Sequence, residues 1–165
     1  MILTILKWAV PVILMILLAA AALTKKTFHV ETVIPVSPAA VWAVLIDTQS
    51  YPEWNPVFVA VEGELRSGAT VKNLVRFPDG STVDMSATIK GFEEGRELRQ
   101  YGGTWGLMTF DHQWLLEPVE GGTRVIQHEV DRGLILWTWN SDWIEPAYQS
   151  VLDALAKRVA ETQDG

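Results

Sequence analysis

The chain has 165 residues, 13 of them basic and 20 acidic, and no cysteine. That is long enough for one domain with a buried core, and the missing thiols exclude disulfides and cysteine chemistry while leaving the redox compartment open. Lys7, Lys25 and Lys26 precede the first acid, Glu31, so the chain beyond residue 26 holds 10 basic and 20 acidic residues, which argues against a nucleic-acid partner and against docking on anionic lipid.

The first predicted element is an apolar helix. Residues 8–24 carry no charge and are dominated by Val, Ile, Leu and Ala. At about 1.5 Å per residue the run is slightly short for a bilayer core of roughly 30 Å, but residues 1–6 extend it past Lys7. Lys25 and Lys26 close it, and Trp8 suits an interface. These features predict a single-pass transmembrane anchor over residues 1–26, with residues 27–165 as a domain tethered at a membrane. A cleaved signal peptide competes, because Ala19, Ala20, Ala21 and Ala22 offer small residues at suitable spacing. The hydrophobic amino terminus, with its one side-chain charge late, favours the anchor. Lys7 and the terminal amine on one side balance Lys25 and Lys26 on the other, so the side of the domain stays undetermined.

Residues 28–36 are rich in Val, Ile and Thr and read as a strand. Ser37-Pro38 then opens a helix over residues 37–46, with Ser at the cap and Pro at the first position. Residues 47–56 read Asp-Thr-Gln-Ser-Tyr-Pro-Glu-Trp-Asn-Pro. Two prolines four residues apart break a continuous helix, and Trp54 between them presents an apolar surface that a solvated loop has no use for. A short helical turn handing over to a strand at Val57 fits best.

Strands follow at 57–62 and 70–77, with Val71, Asn73, Val75 and Phe77 on one face and Lys72 and Arg76 on the other. A Pro78-Asp79-Gly80-Ser81 turn precedes the alternation of Val83, Met85, Ala87 and Ile89 with Asp84, Ser86, Thr88 and Lys90. After Gly95, Leu98 and Gln100 share a face. Met108, Phe110, His112, Trp114 and Leu116 then form one row, and a Gly121-Gly122 turn returns the chain through residues 125–130. Ile144, Tyr148, Val151, Leu152, Leu155 and Val159 recur at helical spacing, with Pro146 admissible only in the first turn. The prediction is α+β: an antiparallel sheet of about seven strands and one long carboxy-terminal helix that must cover its apolar face.

The Pro38-x-x-Val41-Trp42 helix, the Asp47-x-x-x-Tyr51-x-x-Trp54-Asn55-Pro56 turn, the Gly63/Gly68 spacing, Gly95-Arg96-Glu97-Leu98, the row around Phe110-Asp111-His112-Gln113-Trp114, and the Glu117-Pro118…Gly122-Thr123-Arg124-Val125 hairpin together resemble the START-like, or SRPBCC, superfamily. The nearest group is similar to the polyketide cyclase/dehydrase and lipid-transport proteins, over residues 28–163. The resemblance implies a helix-grip fold, a curved sheet wrapped on the last helix with a cavity between, and an apolar small molecule as partner. It does not name that molecule, because one fold hosts many functions.

Candidate ligand-binding residues are Trp54, Asn73, Phe77, Met85, Gln100, Phe110, His112, Trp114 and Trp143. Five of the eight tryptophans fall between Trp105 and Trp143. For Trp54, Trp114 and Trp143, pocket lining and plain core both stay open, since aromatic stripes are usually core while Trp also lines pockets well. Trp137 and Trp139 lie before the last helix and could face lipid beside an anchor. His112 sits in an apolar row where an imidazole needs a partner; it is the one weak catalytic candidate, with a satisfied structural histidine the blander account. His128, Asn73 and Gln100 are read as inward, with Asp111 and Glu129 on the opposite face. Three histidines without cysteine or a carboxylate at ligand spacing predict no metal, and no phosphate loop, dinucleotide fingerprint or nucleophile elbow predicts a cofactor or covalent catalysis.

Three function classes follow. A membrane-tethered carrier or binding domain for a lipid or isoprenoid-like molecule is favoured by the predicted anchor. A cyclase or dehydratase would use His112 as acid or base in the same cavity. A ligand-free interaction module needs an outer patch that alternation does not locate.

Overall fold

The computed structural model describes residues 2–163; Met1, at the start of the expected anchor, and residues 164–165, at the end of the expected domain, lie outside the described residues. Helix α1 (Ile2–Leu23) is followed by β1 (Lys25–Ile34) with only Thr24 between them. Among the described residues no helix is long and apolar enough to cross a membrane, which overturns the expected single-pass anchor, the tether and the membrane localisation. The physical reason is length. Lys7 interrupts the apolar run of the helix, Pro11 removes one of its hydrogen bonds, and the uncharged part from Trp8 to Leu23 rises about 24 Å against roughly 30 Å of hydrocarbon. Trp137, read as a residue that could face lipid, is exposed and donates its Nε1 to the Thr24 hydroxyl at 2.8 Å.

Ser37 caps α2 (Pro38–Ile46) as predicted, its hydroxyl accepting the Ala40 N–H, with Pro38 at the first position. Residues 47–56 form a 3₁₀ turn (Thr48–Ser50) and the one-turn α3 (Tyr51–Trp54). Three side chains hold this turn. The Tyr51 hydroxyl donates to the Leu45 carbonyl at 2.6 Å, satisfying the end of α2. The Asn55 Oδ1 accepts from Val57 and Phe58 N–H at 3.0 and 2.8 Å, which aims the chain into β2 (Phe58–Glu62). The Trp54 Nε1 donates to Ser50, and its ring stands edge-on to Tyr51.

The remaining strands are β3 (Thr70–Arg76), β4 (Thr82–Glu93), β5 (Glu97–Thr104), β6 (Met108–Val119) and β7 (Gly122–Arg132). One seven-stranded antiparallel sheet runs in the order β1-β7-β6-β5-β4-β3-β2. β1 starts three residues earlier than predicted because Lys25, Lys26 and Thr27 pair with Arg132, Asp131 and Val130, extending the ladder past the apolar part of the strand. Register shifts between Phe58 and Ala60 and between Ile89 and Gly91 bend the sheet, as bulges do. The resulting curl wraps α4 (Ile144–Gln163), the helix-grip arrangement expected.

α4 divides the interior in two. Its carboxy-terminal half buries Val151, Leu152, Leu155 and Val159 against Val41 and Leu45 of α2 and against Val71, Ile89, Leu98 and Trp114 of the sheet, a solid aliphatic core. Its amino-terminal turns bury Ile144 and Tyr148 with Phe28, Phe58, Trp139 and Trp143. Flat rings fill that end less completely than branched aliphatics fill the other.

Candidate functional site

The looser end holds a cavity of about 250 Å³. Sheet residues Asn73, Val75, Val83, Met85, Gln100, Met108, Phe110, His112, Glu129 and Asp131 form its floor, and Phe77 lies at the end of β3. Ile144 and Tyr148 of α4, with Ile135, Trp139 and Trp143 from the segment before it, close the other side together with Val57 and Phe58. Phe110 reaches in because its cross-strand partner is Gly102: a Cβ there would stand 2.5 Å from the Phe110 ring, so only glycine lets the ring lie on the strand.

Of the residues singled out from sequence, Asn73, Phe77, Met85, Gln100, Phe110, His112 and Trp143 all line this cavity. Trp54 and Trp114 do not. Trp54 is half-buried beside Tyr51, and Trp114 belongs to the packed core, with a second, far smaller void of about 10 Å³ behind it. Trp139, read from sequence as a residue that could face lipid, lines the cavity as well.

The polar residues form a band across the floor. The Asn73 Nδ2 donates to the Gln100 Oε1 at 2.7 Å, leaving the Asn73 Oδ1 without a partner among the described residues. Gln100 pairs in register with His112, and His112 with Glu129. His112 is wrapped by Phe58, Trp114 and Tyr148, whose ring centres lie 5.3, 5.9 and 5.4 Å away. Burial pushes its pKa down to about 3, so it is neutral at physiological pH. The Gln127 amide Nε2 stands 2.9 Å from the His112 Nε2. An amide nitrogen can only donate, so this ring nitrogen accepts and the ring proton sits on Nδ1. The one basic atom of His112 is therefore already engaged.

Reading His128 as inward and Glu129 as outward is corrected by the register. His112 opposes Glu129, and Phe110 opposes Asp131, so the odd residues Gln127, Glu129 and Asp131 face inward. His128 faces outward against His29, with their Nδ1 atoms 3.4 Å apart. Among the described residues no group of three or more His, Cys, Asp or Glu side chains could hold a metal ion.

Glu129 and Asp131 are the acidic centre that sequence reasoning missed. The Tyr148 hydroxyl donates to the Glu129 Oε2 at 2.8 Å. Apart from the neighbouring Glu129 carboxyl, neither Asp131 carboxylate oxygen has a hydrogen-bond partner among the described residues. Burial pushes Asp131 up to about 7, opposed by its hydrogen bond with Glu129 and by the charge of Lys26. Burial, then the charge of Asp131, raises Glu129 well above the carboxylate range. Two adjacent carboxyls out of water cannot both ionise cheaply, so Glu129 keeps its proton and shares it with Asp131. At neutral pH the group can thus accept hydrogen bonds through Asp131 and exchange a proton through the pair.

Comparison with known proteins bears on the fold and family. Solved structures with the same fold include the di-domain ARO/CYC StfQ from the steffimycin biosynthetic pathway, with TM-score 0.68 and 16% identity over 86% of this chain and 52% of that one. Ara h 8.0201 aligns with TM-score 0.63 and 18% identity over 84% of this chain and 99% of that one. An uncharacterised protein from Rhizobium leguminosarum aligns with TM-score 0.66 and 15% identity over 84% and 96%. No curated protein sequence matches. The family described as polyketide cyclase / dehydrase and lipid transport matches residues 25–160, which span β1 to the last turns of α4. The chain belongs to the polyketide cyclase/dehydrase and lipid-transport family.

Proposed function

We propose that the protein is a binding domain for a largely apolar small molecule, held in the cavity between the sheet and the amino-terminal half of α4. The observation that carries this reading is the cavity itself: about 250 Å³, walled by Phe58, Phe77, Phe110, Trp139, Trp143 and Tyr148, with a few convergent polar groups at its floor. That volume lies just below the usual range for ligand pockets, roughly 300–1,000 Å³, and suits a compound of one or two rings or a single short isoprenoid chain better than a two-tailed lipid. Trp114 supports the site from behind with its ring against His112, and the seven residues singled out from sequence that line the cavity are its contact surface. Native mass spectrometry of the gently purified full chain tests the proposal: a stoichiometric small-molecule adduct is expected, and a protein that carries nothing and takes up nothing from an apolar extract refutes it.

A cyclase-type enzyme is the second reading. It is favoured by the proton-sharing Glu129 and Asp131 beside the Tyr148 hydroxyl, groups suited to acid–base work near neutral pH. The family name and the ARO/CYC title of one structural neighbour point the same way. In this reading the carboxyl pair replaces His112 as the proton-transferring group, because His112 is neutral and its acceptor nitrogen is bonded to Gln127. Turnover of the co-purified compound, abolished in Glu129→Gln with binding retained, would establish it over a simple carrier.

A further inference from the structure

We infer that the occupant of this cavity carries a cationic amine, its ammonium group seated against Asp131 and Glu129 and its apolar body against the aromatic wall. The inference rests on the reading of the cavity as a ligand site.

Asp131 has no exposed surface, lines the cavity, and has no hydrogen-bond donor for either carboxylate oxygen among the described residues beyond the proton it shares with Glu129. A buried carboxylate is ordinarily matched by a cation or by several donors, since an unpaired charge out of water is strongly unfavourable. The groups that face the pair are committed elsewhere. Lys26, opposite Asp131 in the β1–β7 ladder, acts on it through its charge, but its Nζ donates to the Ser141 hydroxyl at 2.8 Å and the Trp139 carbonyl at 3.2 Å and to neither Asp131 oxygen. From α4, the Tyr148 hydroxyl is bonded to Glu129; from β6, His112 is neutral and bonded to Gln127. Asp111, on the outer face of β6, is held by a bidentate Arg99. One negative charge with free acceptor positions therefore looks into a chamber whose other walls are mostly apolar.

Ligand chemistry follows from that mismatch. A carbonyl or ether oxygen would set acceptor against acceptor, and a carboxylate would add repulsion. An alcohol could donate one hydrogen bond but brings no charge to the carboxylate. A protonated amine supplies up to three donors and the opposite charge, and the faces of Trp139, Trp143 and Phe58 favour a cation over a neutral head.

Calorimetric titration of the full chain near about pH 8 with phenethylamine, phenethyl alcohol and hydrocinnamate compares three head groups on one small aromatic body. The amine is expected to bind about tenfold or more tightly than the alcohol, and the carboxylate most weakly. In Asp131→Asn that advantage should fall to within about threefold while alcohol affinity holds, whereas Glu129→Gln, which replaces a protonated carboxyl and leaves the Asp131 charge in place, should keep it. Melting curves establish that each variant is folded, and Asp131→Ser is a second charge-removing variant, so one folded Asp131 substitution suffices. Equal binding of amine and alcohol, or an advantage that survives loss of the Asp131 carboxylate, overturns the amine inference and leaves the cavity reading standing. Binding of none of the three overturns both.

Discussion

Replacing Asp131 with Asn removes a charge from the protein interior and should make the protein more stable at alkaline pH. The unfolded carboxyl titrates near 3.8, whereas burial raises it to about 7 in the folded chain. Its contribution to stability is therefore fully present below about pH 4 and is lost as pH rises through about 7. At roughly 1.36 kcal/mol per pH unit, that loss reaches about 4 kcal/mol as an upper figure. An Asn in the same place carries no charge but leaves part of an amide unmatched, a cost of about 1–3 kcal/mol. The expected net gain near pH 8 is about 2 kcal/mol, or a melting temperature higher by about 4–8 °C for a chain of this size. Near pH 4 the order should reverse, because the native carboxyl is then neutral and shares a hydrogen bond with Glu129. Thermal melts of both proteins at pH 4, 6 and 8 test this, and titrations common to both cancel in the difference. Parallel stability curves, or a variant less stable at every pH, would show that Asp131 is not a buried charge whose desolvation outweighs its partners.

Other substitutions probe other parts of the structure. Leu155→Ala opens a hole in the solid half of the core, where Leu155 has no exposed surface, and should cost about 2–5 kcal/mol by urea denaturation. Trp54→Ala removes a half-buried ring and should cost less than Leu155→Ala; the reverse order would contradict the placement of the 47–56 turn. His112→Gln keeps a neutral polar group and should weaken the bound compound by about 0.5–1.5 kcal/mol, whereas a loss of turnover of about 10²–10⁴-fold at unchanged affinity would make His112 a general base. Residues 27–165 are proposed as the folding unit. A fragment starting at residue 25 should be the more stable, because β1 begins at Lys25 and Lys26 bonds the Trp139 carbonyl and Ser141 hydroxyl; equal stability would mean those contacts contribute nothing.

Much of this architecture was legible in the residues because local chemistry specifies it. Ser37-Pro38 reads as a helix start wherever it occurs, and the apolar set 144, 148, 151, 152, 155 and 159 can share a face only on a helix. Strict alternation placed Asn73, Met85, Gln100, Phe110 and His112 correctly on the inner face. The error in β7 has a definite origin. Reading His128 as inward puts its neighbour Glu129 outward by alternation, in keeping with the usual cost of burying charge. A two-residue hairpin loop between β6 and β7, however, pairs even positions with odd ones, so an inward His112 requires an inward Glu129. That parity was available from the turn at Gly121 and outranks polarity. Trp139 was not assignable from sequence, because the irregular segment between β7 and α4 has no period to read. The apolar run at the amino terminus resembled a membrane span by composition; Lys7, Pro11 and the helix end at Leu23 decide its length.

The central claim is that the space between the sheet and the start of α4 is a ligand site, and a high-resolution crystal structure of the protein as purified tests it most directly. The account predicts continuous non-protein density bounded by Phe77, Met85, Trp143 and Tyr148, with its polar end against Asp131 and Glu129. A cavity filled by scattered water, or closed by the rings of Trp139 and Trp143 folding inward, would contradict it.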